Sequence, residues 1–542
     1  MPAKVCNSGD KIKLKQGFWI SGLLRQILSF VNVSNEIMSH YIGIDIGTTH
    51  IKAVVADDGG RPVFHTNRSC PSEQLNKGWH EQDAHVLLTL VIEVLNESLI
   101  YTGDKPSYVC FSAGMHSLLA VDKDGVPLCK MMTWADTRSN EYALQLKGTE
   151  RGSLIYRQTG TPVHPMSPLC KIAWIRDQQP ALYAAAFKFI SIKEYIFFQF
   201  FGEYVVDYSM ASATGLFDIR NLTWSKEALS FAGIDATRLS QPVMPTKAFT
   251  RFTSNISKQL KFDHGLTFLV GAGDGLLANV GAGAVSKGEL ALTIGTSGAI
   301  RKLGNEIVDD RNESLFNYAF DGQSYLTGGA INNGGIVLQW LAKLFFTEKT
   351  TEDAFVQMMH EAATVDPGAE GLIFLPYIYG ERAPVWDAAA KGVFIGINAS
   401  HTRAHFIRAA IEGICFSLLQ IMRSIEQCGV LVTAVFANGG FIRSKLWLRI
   451  MADVLNKDLY VSYSADASAM GAIYLSMLVS GKIERWNDVK KLVSIDETYL
   501  PQPGSSECYR RSFIIYEHLY EKLKADFTAI NSWQNPDAAT GN

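Results

Sequence analysis

Two glycines and two threonines between apolar runs do most to limit what this chain can fold into. In Tyr41-Ile-Gly-Ile-Asp45-Ile-Gly47-Thr48-Thr49-His-Ile-Lys52-Ala-Val-Val-Ala56, an apolar strand ends at Asp45, a tight turn follows, and a second apolar strand leaves. Such a hairpin offers backbone N–H groups and two hydroxyls to a phosphate, with a carboxylate beside them for a hydrated divalent cation. On its own, a Gly-Thr-Thr turn is more often an ordinary hairpin than a binding site. Its meaning depends on what else the chain carries.

The hairpin is echoed. Ala291-Leu-Thr293-Ile-Gly295-Thr296-Ser297 has the same form, with Thr293 where the first copy has Asp45. Two hairpins at domain spacing predict two domains of one architecture, both gripping one polyphosphate across a cleft. A third glycine turn, Asn438-Gly439-Gly440 after the strand-like Ala434-Val-Phe-Ala, leads through Ser444 into a helix and suits an adenine–ribose pocket. Neither Gly-x-x-x-x-Gly-Lys-[Ser/Thr] nor Gly-x-Gly-x-x-Gly occurs, so P-loop and dinucleotide-fold readings lack their key residues.

The remaining pattern agrees. At 542 residues the chain exceeds one ordinary core. Short apolar strands such as 106–113 and 266–271 alternate with helical stretches such as 83–99, where Asp83 is the expected N-cap; this predicts an α/β protein. A net charge of −3 gives no sign of a nucleic-acid or membrane partner. Eight cysteines without a C-x-x-C pair argue against a zinc site or disulfide framework and fit a cytoplasmic location. Residues 1–40 read as an extension outside the fold, with Met38 a plausible start; an amphipathic membrane-surface helix is the less favoured alternative. The expected domains are 41–290, binding a sugar, and 291–530, binding a nucleotide, followed by a tail at 531–542.

The three glycine turns, in this order, resemble the actin–hexokinase–chaperone ATPase superfamily, and further segments resemble the FGGY family of carbohydrate kinases within it. Those segments are Met166-Ser-Pro-Leu-Cys-Lys171-Ile-Ala-Trp174, Gly392-Val-Phe-Ile-Gly396 with His405-Phe-Ile-Arg-Ala-Ala-Ile-Glu412-Gly, Gly78-Trp-His-Glu-Gln-Asp83, and Trp134-Ala-Asp136-Thr-Arg138. The resemblance implies two ribonuclease-H-like domains facing each other across a cleft, with ATP and Mg²⁺ as cofactors. It implies Asp274 as general base and Asp45 with Asp274 at the metal. Gly47, Thr48, Thr49, Lys52, Gly295, Thr296, Gly335, Gln339, Asn438, Gly439, Gly440 and Ser444 are the implied nucleotide contacts. Met115, His116, Asp136, Arg138, His164, Lys171, Asp274 and Gly275 are the implied substrate contacts.

Within the family, Ser112-Ala-Gly-Met-His-Ser117, Tyr156 to Trp174, and Asp207 to Gly215 are most similar to kinases of gluconate. A sugar-acid carboxylate needs a cation or several donors; His116, Arg138, His164 and Lys171 are the candidates. Gly114 and Ser117 stand where many xylulose kinases carry Gln and Gly, which counts against xylulose. Other pentulose or polyol substrates and a catalytically silent sugar-binding regulator are the alternatives. Retention of both Asp45 and Asp274 speaks against the silent regulator. A homodimer is the assembly expected, if any. Three features take structural readings: the aromatics 197–201 as core, Glu381-Arg382 as an interdomain ion pair in preference to a reach into the substrate region, and His401/His405 as part of the family segment rather than a zinc site.

Overall fold

The computed structural model describes residues 40–534 apart from 74–77, 104, 106, 263 and 464–465. The expected N-terminal extension therefore lies outside the described residues but for His40, with which the first strand begins. The expected tail is shortened, because the helix Pro503–Gln534 runs past 531; residues 535–542 lie outside the description.

Two sheets organise the chain. The first contains β1 (His40–Ile46), β2 (His50–Ala56), β3 (Pro62–Ser69), β4 (Ser107–Ala113), β5 (Ala248–Phe249) and β6 (Leu266–Gly273). The second contains β7 (Glu289–Ile294), β8 (Gly298–Gly304), β9 (Phe316–Ala319), β10 (Tyr325–Ile331), β11 (Ala434–Asn438), β12 (Leu459–Val461) and β13 (Glu497–Tyr499). Their spatial orders are β5-β6-β4-β1-β2-β3 and β9-β10-β8-β7-β11-β12-β13.

Five strands of each sheet repeat one plan. In the first sheet β1 pairs antiparallel with β2, and β2 with β3, while β4 lies parallel to β1 and β6 parallel to β4. In the second, β7 pairs antiparallel with β8, and β8 with β10, while β11 lies parallel to β7 and β12 parallel to β11. The echo in the sequence is thus an echo of topology, and Asp45 and Thr293 occupy matching places near the ends of the leading strands. Across the parallel pairing, Asp45 stands opposite Ser112 and Thr293 opposite Asn438.

Strand β1 is buried on both faces, as its run of isoleucines requires. Ile42, Ile44 and Ile46 share a core with α1 (Ala84–Thr102), whose N-terminus Asp83 caps by accepting from the His85 and Val86 N–H groups. The opposite face of β1 meets a helix from the other half of the chain. Beside it lies α2 (Asp274–Gly281), which starts where β6 ends. The second core is built around α4 (Arg403–Gln427), which follows the shorter α3 (Gly335–Phe345) and is buried along most of its length. By length and composition α1 and α4 could each cross a membrane; here both pack in the α/β layers.

The helix that reaches across is α5 (Ala467–Val479), and small residues let it approach. A Cβ at Gly43 would lie 2.1 Å from the Ala469 carbonyl oxygen, one at Gly471 1.9 Å from that of Leu277, and one at Gly281 1.9 Å from that of Ala467. Backbone therefore rests on backbone along α2, α5 and β1. The contact fixes the start of α2, and with it Asp274, relative to both sheets. The aromatics 197–201 fulfil their expectation in part: Phe197 and Phe200 are core, while Phe198 and Phe201 are half-buried and stack on Tyr204 and Phe249.

Candidate active site

Between the two sheets, at the ends of their leading strands, lies a cavity of about 240 Å³. The first half of the chain lines it with Thr48, Met115, His116, Trp134 and Asp274. The second half contributes Thr293, Gly295, Arg301, Tyr318, Arg382 and Trp386.

Asp274 is the first residue of α2, so its carboxylate sits where the helix leaves N–H groups unpaired; Oδ1 accepts from the Gly275 N–H at 2.6 Å. It is deep in the protein, yet half-exposed because its open side is the cavity. Burial raises its pKa, against the lowering pull of Arg301 and the Gly275 bond. Gly275 has a packing role as well: a Cβ there would stand 2.8 Å from Arg301 Nε, so glycine admits the guanidinium next to Asp274.

Asp45 is buried and accepts from the Ser112 hydroxyl at 2.6 Å. Burial and the neighbouring carboxylates of Asp466 and Asp274 push its pKa up to about 7. Asp466, at the start of α5, was missed by sequence reasoning. Its only local signal was the small-residue helix that follows. Its carboxylate is ion-paired with Lys52, so the ammonium expected at the nucleotide is engaged across the two halves. Three mutually repelling carboxylates with hard oxygen donors fit a divalent cation. Among the described residues no group of three or more His, Cys, Asp or Glu could chelate one directly, which suits a cation held largely through water and phosphate oxygens.

The sugar-side candidates divide sharply. His116 has a positive φ of 67°, a strained conformation for a non-glycine residue. Its Nδ1 lies 2.7 Å from the Ala213 carbonyl and so carries the proton, leaving Nε2 to face the Tyr318 hydroxyl at 3.4 Å. Burial, with Lys171 and Arg382 nearby, lowers its pKa to about 3, so the ring is neutral. Lys171 does not reach the cavity. Its ammonium donates to the His116 and Thr133 carbonyls, each at 2.7 Å, and burial lowers its pKa to about 7. Arg138 is committed too: it binds Asp136 and Glu81 and lies 3.7 Å over the Trp79 ring. Asp136 in turn accepts from the His80 N–H. Asp136, Arg138 and Lys171 thus brace the loops that carry the site and do not line it. Met115 does line it. His164 is buried against Trp386.

On the opposite wall the glycine turns converge. A Cβ at Gly335 would meet the Gly295 carbonyl oxygen at 2.7 Å, and one at Gly439, where φ is 94°, the Ile294 carbonyl oxygen at 2.5 Å. The second hairpin, the start of α3 and the third turn therefore form one surface, with Thr296, Asn438 and Gly440 on it. Ser444 is spent on capping the next helix, where its hydroxyl accepts from the Trp447 N–H at 3.2 Å. Gln339 is exposed and faces a separate hollow with Lys343 and Phe346. Gly47 closes the first hairpin by donating to the His50 carbonyl at 3.0 Å, and Thr48 lines the cavity while Thr49 points to solvent.

Of two cavity cations, Arg301 escaped sequence reasoning, while Arg382 was given the structural reading over a place at the substrate. Arg301 leaves Nε and Nη1 buried without partners, and Arg382 leaves Nε so. The structure splits the Glu381-Arg382 pair that was expected to be structural. Glu381 accepts from the Asn332, Asn333 and Arg382 N–H groups, as a structural residue would, whereas Arg382 lines the cavity.

Comparison with known proteins agrees with this architecture. The model for "FGGY family of carbohydrate kinases, N-terminal domain" matches residues 40–281, and that for the family's C-terminal domain matches 290–479. A gluconokinase of Bacillus subtilis (strain 168) is 38% identical over 504 residues, covering 92% of this chain and 98% of the relative. Two solved structures from Lactobacillus acidophilus superpose with TM-scores of 0.86 at 32% identity, over 91% of this chain and 100% of theirs. One is described as a gluconate kinase, the other as a ligand-bound xylulose kinase.

Proposed function

Because the chain belongs to the FGGY family of carbohydrate kinases, and is an ATP-dependent sugar kinase, we propose that it phosphorylates D-gluconate at O6. The observation that carries the acidic acceptor is the cavity itself: guanidinium N–H groups without partners share it with a single carboxylate at a helix N-terminus. A neutral sugar could offer those donors only uncharged hydroxyl acceptors, which a guanidinium binds more weakly than a carboxylate.

In this reading the acceptor hydroxyl lies beside Asp274. As its oxygen bonds to the γ-phosphorus, the hydroxyl proton passes to the Asp274 carboxylate, and the bond to the β–γ bridging oxygen breaks to release ADP. Burial, by raising the carboxyl pKa, makes Asp274 a better proton acceptor than an exposed aspartate. Thr48 and Gly47 on one hairpin, and Gly295, Thr296, Gly335, Asn438, Gly439 and Gly440 on the other, hold the nucleotide. Lys52, tied to Asp466, supports it from the rim. Mg²⁺, organised by Asp45 and Asp274, would neutralise phosphate charge. His116 and Met115 hold the sugar, with Lys171 and the Arg138–Asp136 pair bracing them. Such a kinase works where ATP is made, in the cytoplasm.

ADP release measured over sugar acids, pentuloses and polyols tests the assignment. Gluconate is expected to give the highest kcat/KM. A higher value for D-xylulose would move the protein to the second reading, which the similarity to a structure described as a xylulose kinase favours.

A further inference from the structure

One corner of the cavity holds guanidinium donors that the protein leaves without acceptors. The Arg382 side chain is almost fully buried, its guanidinium 4.7 Å from the Trp134 ring centroid. Its Nη2 donates to the Ile331 carbonyl at 3.0 Å, while Nε is buried without an acceptor. The adjacent Glu381 offsets part of its charge but gives the guanidinium no acceptor, because its oxygens are taken by Asn332, Asn333 and the Arg382 backbone. A buried cation left in this state is costly unless something else supplies the acceptor.

His164 lies behind Trp386, with ring centroids 5.5 Å apart, and does not itself line the cavity. Its Nδ1 accepts from the Met166 N–H at 3.2 Å, so in the neutral ring the proton is on Nε2. Burial and the charge of Arg382 keep the ring neutral. That Nε2–H is also buried and has no acceptor. The other cations near the sugar are fully engaged: Arg138 with two carboxylates, Lys171 with two carbonyls. Arg301 lies beside Gly275, at the reacting end.

We infer that Arg382 binds the carboxylate of the acceptor and thereby determines the choice of a sugar acid over a neutral sugar. The inference rests on the reading of the acceptor as a sugar acid. A guanidinium presents parallel N–H groups that match a carboxylate, whereas a hydroxymethyl group in the same place offers a single uncharged acceptor.

The test compares D-gluconate with D-glucitol, which has a hydroxymethyl in place of the carboxylate, on wild type, Arg382→Gln and Arg382→Lys. Wild type should bind gluconate at least tenfold more tightly than glucitol by calorimetry. If it does not, the acidic-acceptor reading fails before any variant is made. In Arg382→Gln the gluconate KM should rise roughly 10²-fold with kcat changed much less, and the preference over glucitol should vanish. Arg382→Lys, which keeps charge but not the fork, should lose about tenfold of the preference. Should the Gln variant fail to fold by melting curve, the Lys variant decides. A preference retained within about twofold in the folded variant overturns the inference. A loss of kcat with KM unchanged also overturns it, since Arg382 would then serve the transferring phosphoryl group.

Discussion

The two halves share a strand plan but treat the polar groups at their shared cavity in opposite ways. In the first half these groups are mostly paired within the protein, Asp45 with Ser112 and His116 with Ala213 and Tyr318, and the exception, His164 Nε2, lies behind the wall. In the second half Thr293 Oγ1, Arg301 Nε and Nη1, Asn438 Nδ2 and Arg382 Nε are buried and unpaired. Native proteins rarely leave buried polar atoms so. A cluster of them on one wall marks where a ligand supplies the missing partners. One wall is finished machinery and the other is a socket. Topology alone would not have distinguished them.

This division is most severely tested at Asp274, the reacting group on the finished side. Asp274→Asn keeps size and hydrogen bonding but removes the proton acceptor. We expect kcat to fall by roughly 10²–10⁴ while the apparent affinity for ATP is largely kept. Near-normal kcat at saturating gluconate would remove Asp274 as the base. An equally large loss of ATP affinity would show that the carboxylate belongs to the nucleotide socket instead.

Much of this site was legible in the chain, and what was missed follows a physical rule. The hairpins at Gly47 and Gly295 and the turn at Gly439 were readable because their geometry is set by adjacent residues, and a glycine is needed where backbone meets backbone. The topology repeat followed from their similarity. Arg301 and Asp466 were not readable, and Arg382 was a candidate that sequence could not decide, because their importance lies in neighbours distant in sequence. Arg301 matters through Gly275 and Asp274, and Asp466 through Asp45 and Lys52. The same limit explains Arg138 and Lys171. Residue type gave their charge, but not that Asp136, Glu81 and two carbonyls already hold them.

His116 allows a second test, through pH. Its pKa is about 3 in the folded protein against an ordinary 6.5, because burial and the charges of Lys171 and Arg382 disfavour the imidazolium. Between those values the unfolded chain takes up a proton that the folded one refuses. Stability should therefore fall as pH drops from about 6.5 towards 3, by up to about 1.4 kcal/mol per unit, with no contribution above that window. Asp45 and Glu381, each raised to about 7, act with the opposite sign as pH rises through the same range, so the informative quantity is a difference. In urea titrations between pH 4 and 7, wild type minus His116→Gln should show the slope assigned to the histidine. Parallel curves would mean that this wall is less tightly bound than its hydrogen bonds indicate.

The smallest effect gives the sharpest contrast, because it compares one hydroxyl from each sheet at the same end of the strands. Ser112 and Thr293 both bear hydroxyls at the ends of leading or adjoining strands, one donating to Asp45 and the other bonded to nothing. Ser112→Ala removes a charge-assisted bond from a buried carboxylate and should destabilise the ligand-free protein by about 1–3 kcal/mol. Thr293→Val replaces an unsatisfied hydroxyl with a methyl of similar shape, a change that is nearly neutral or stabilising when no bond is lost. Its cost should appear only with ligand, as a rise of several-fold in the KM for ATP, since the hydroxyl lies where the second hairpin meets the phosphates. Thermal unfolding of both variants with and without nucleotide separates the cases. If Thr293→Val destabilises the free protein as much as Ser112→Ala does, the threonine already has a partner and the second wall is no more a socket than the first.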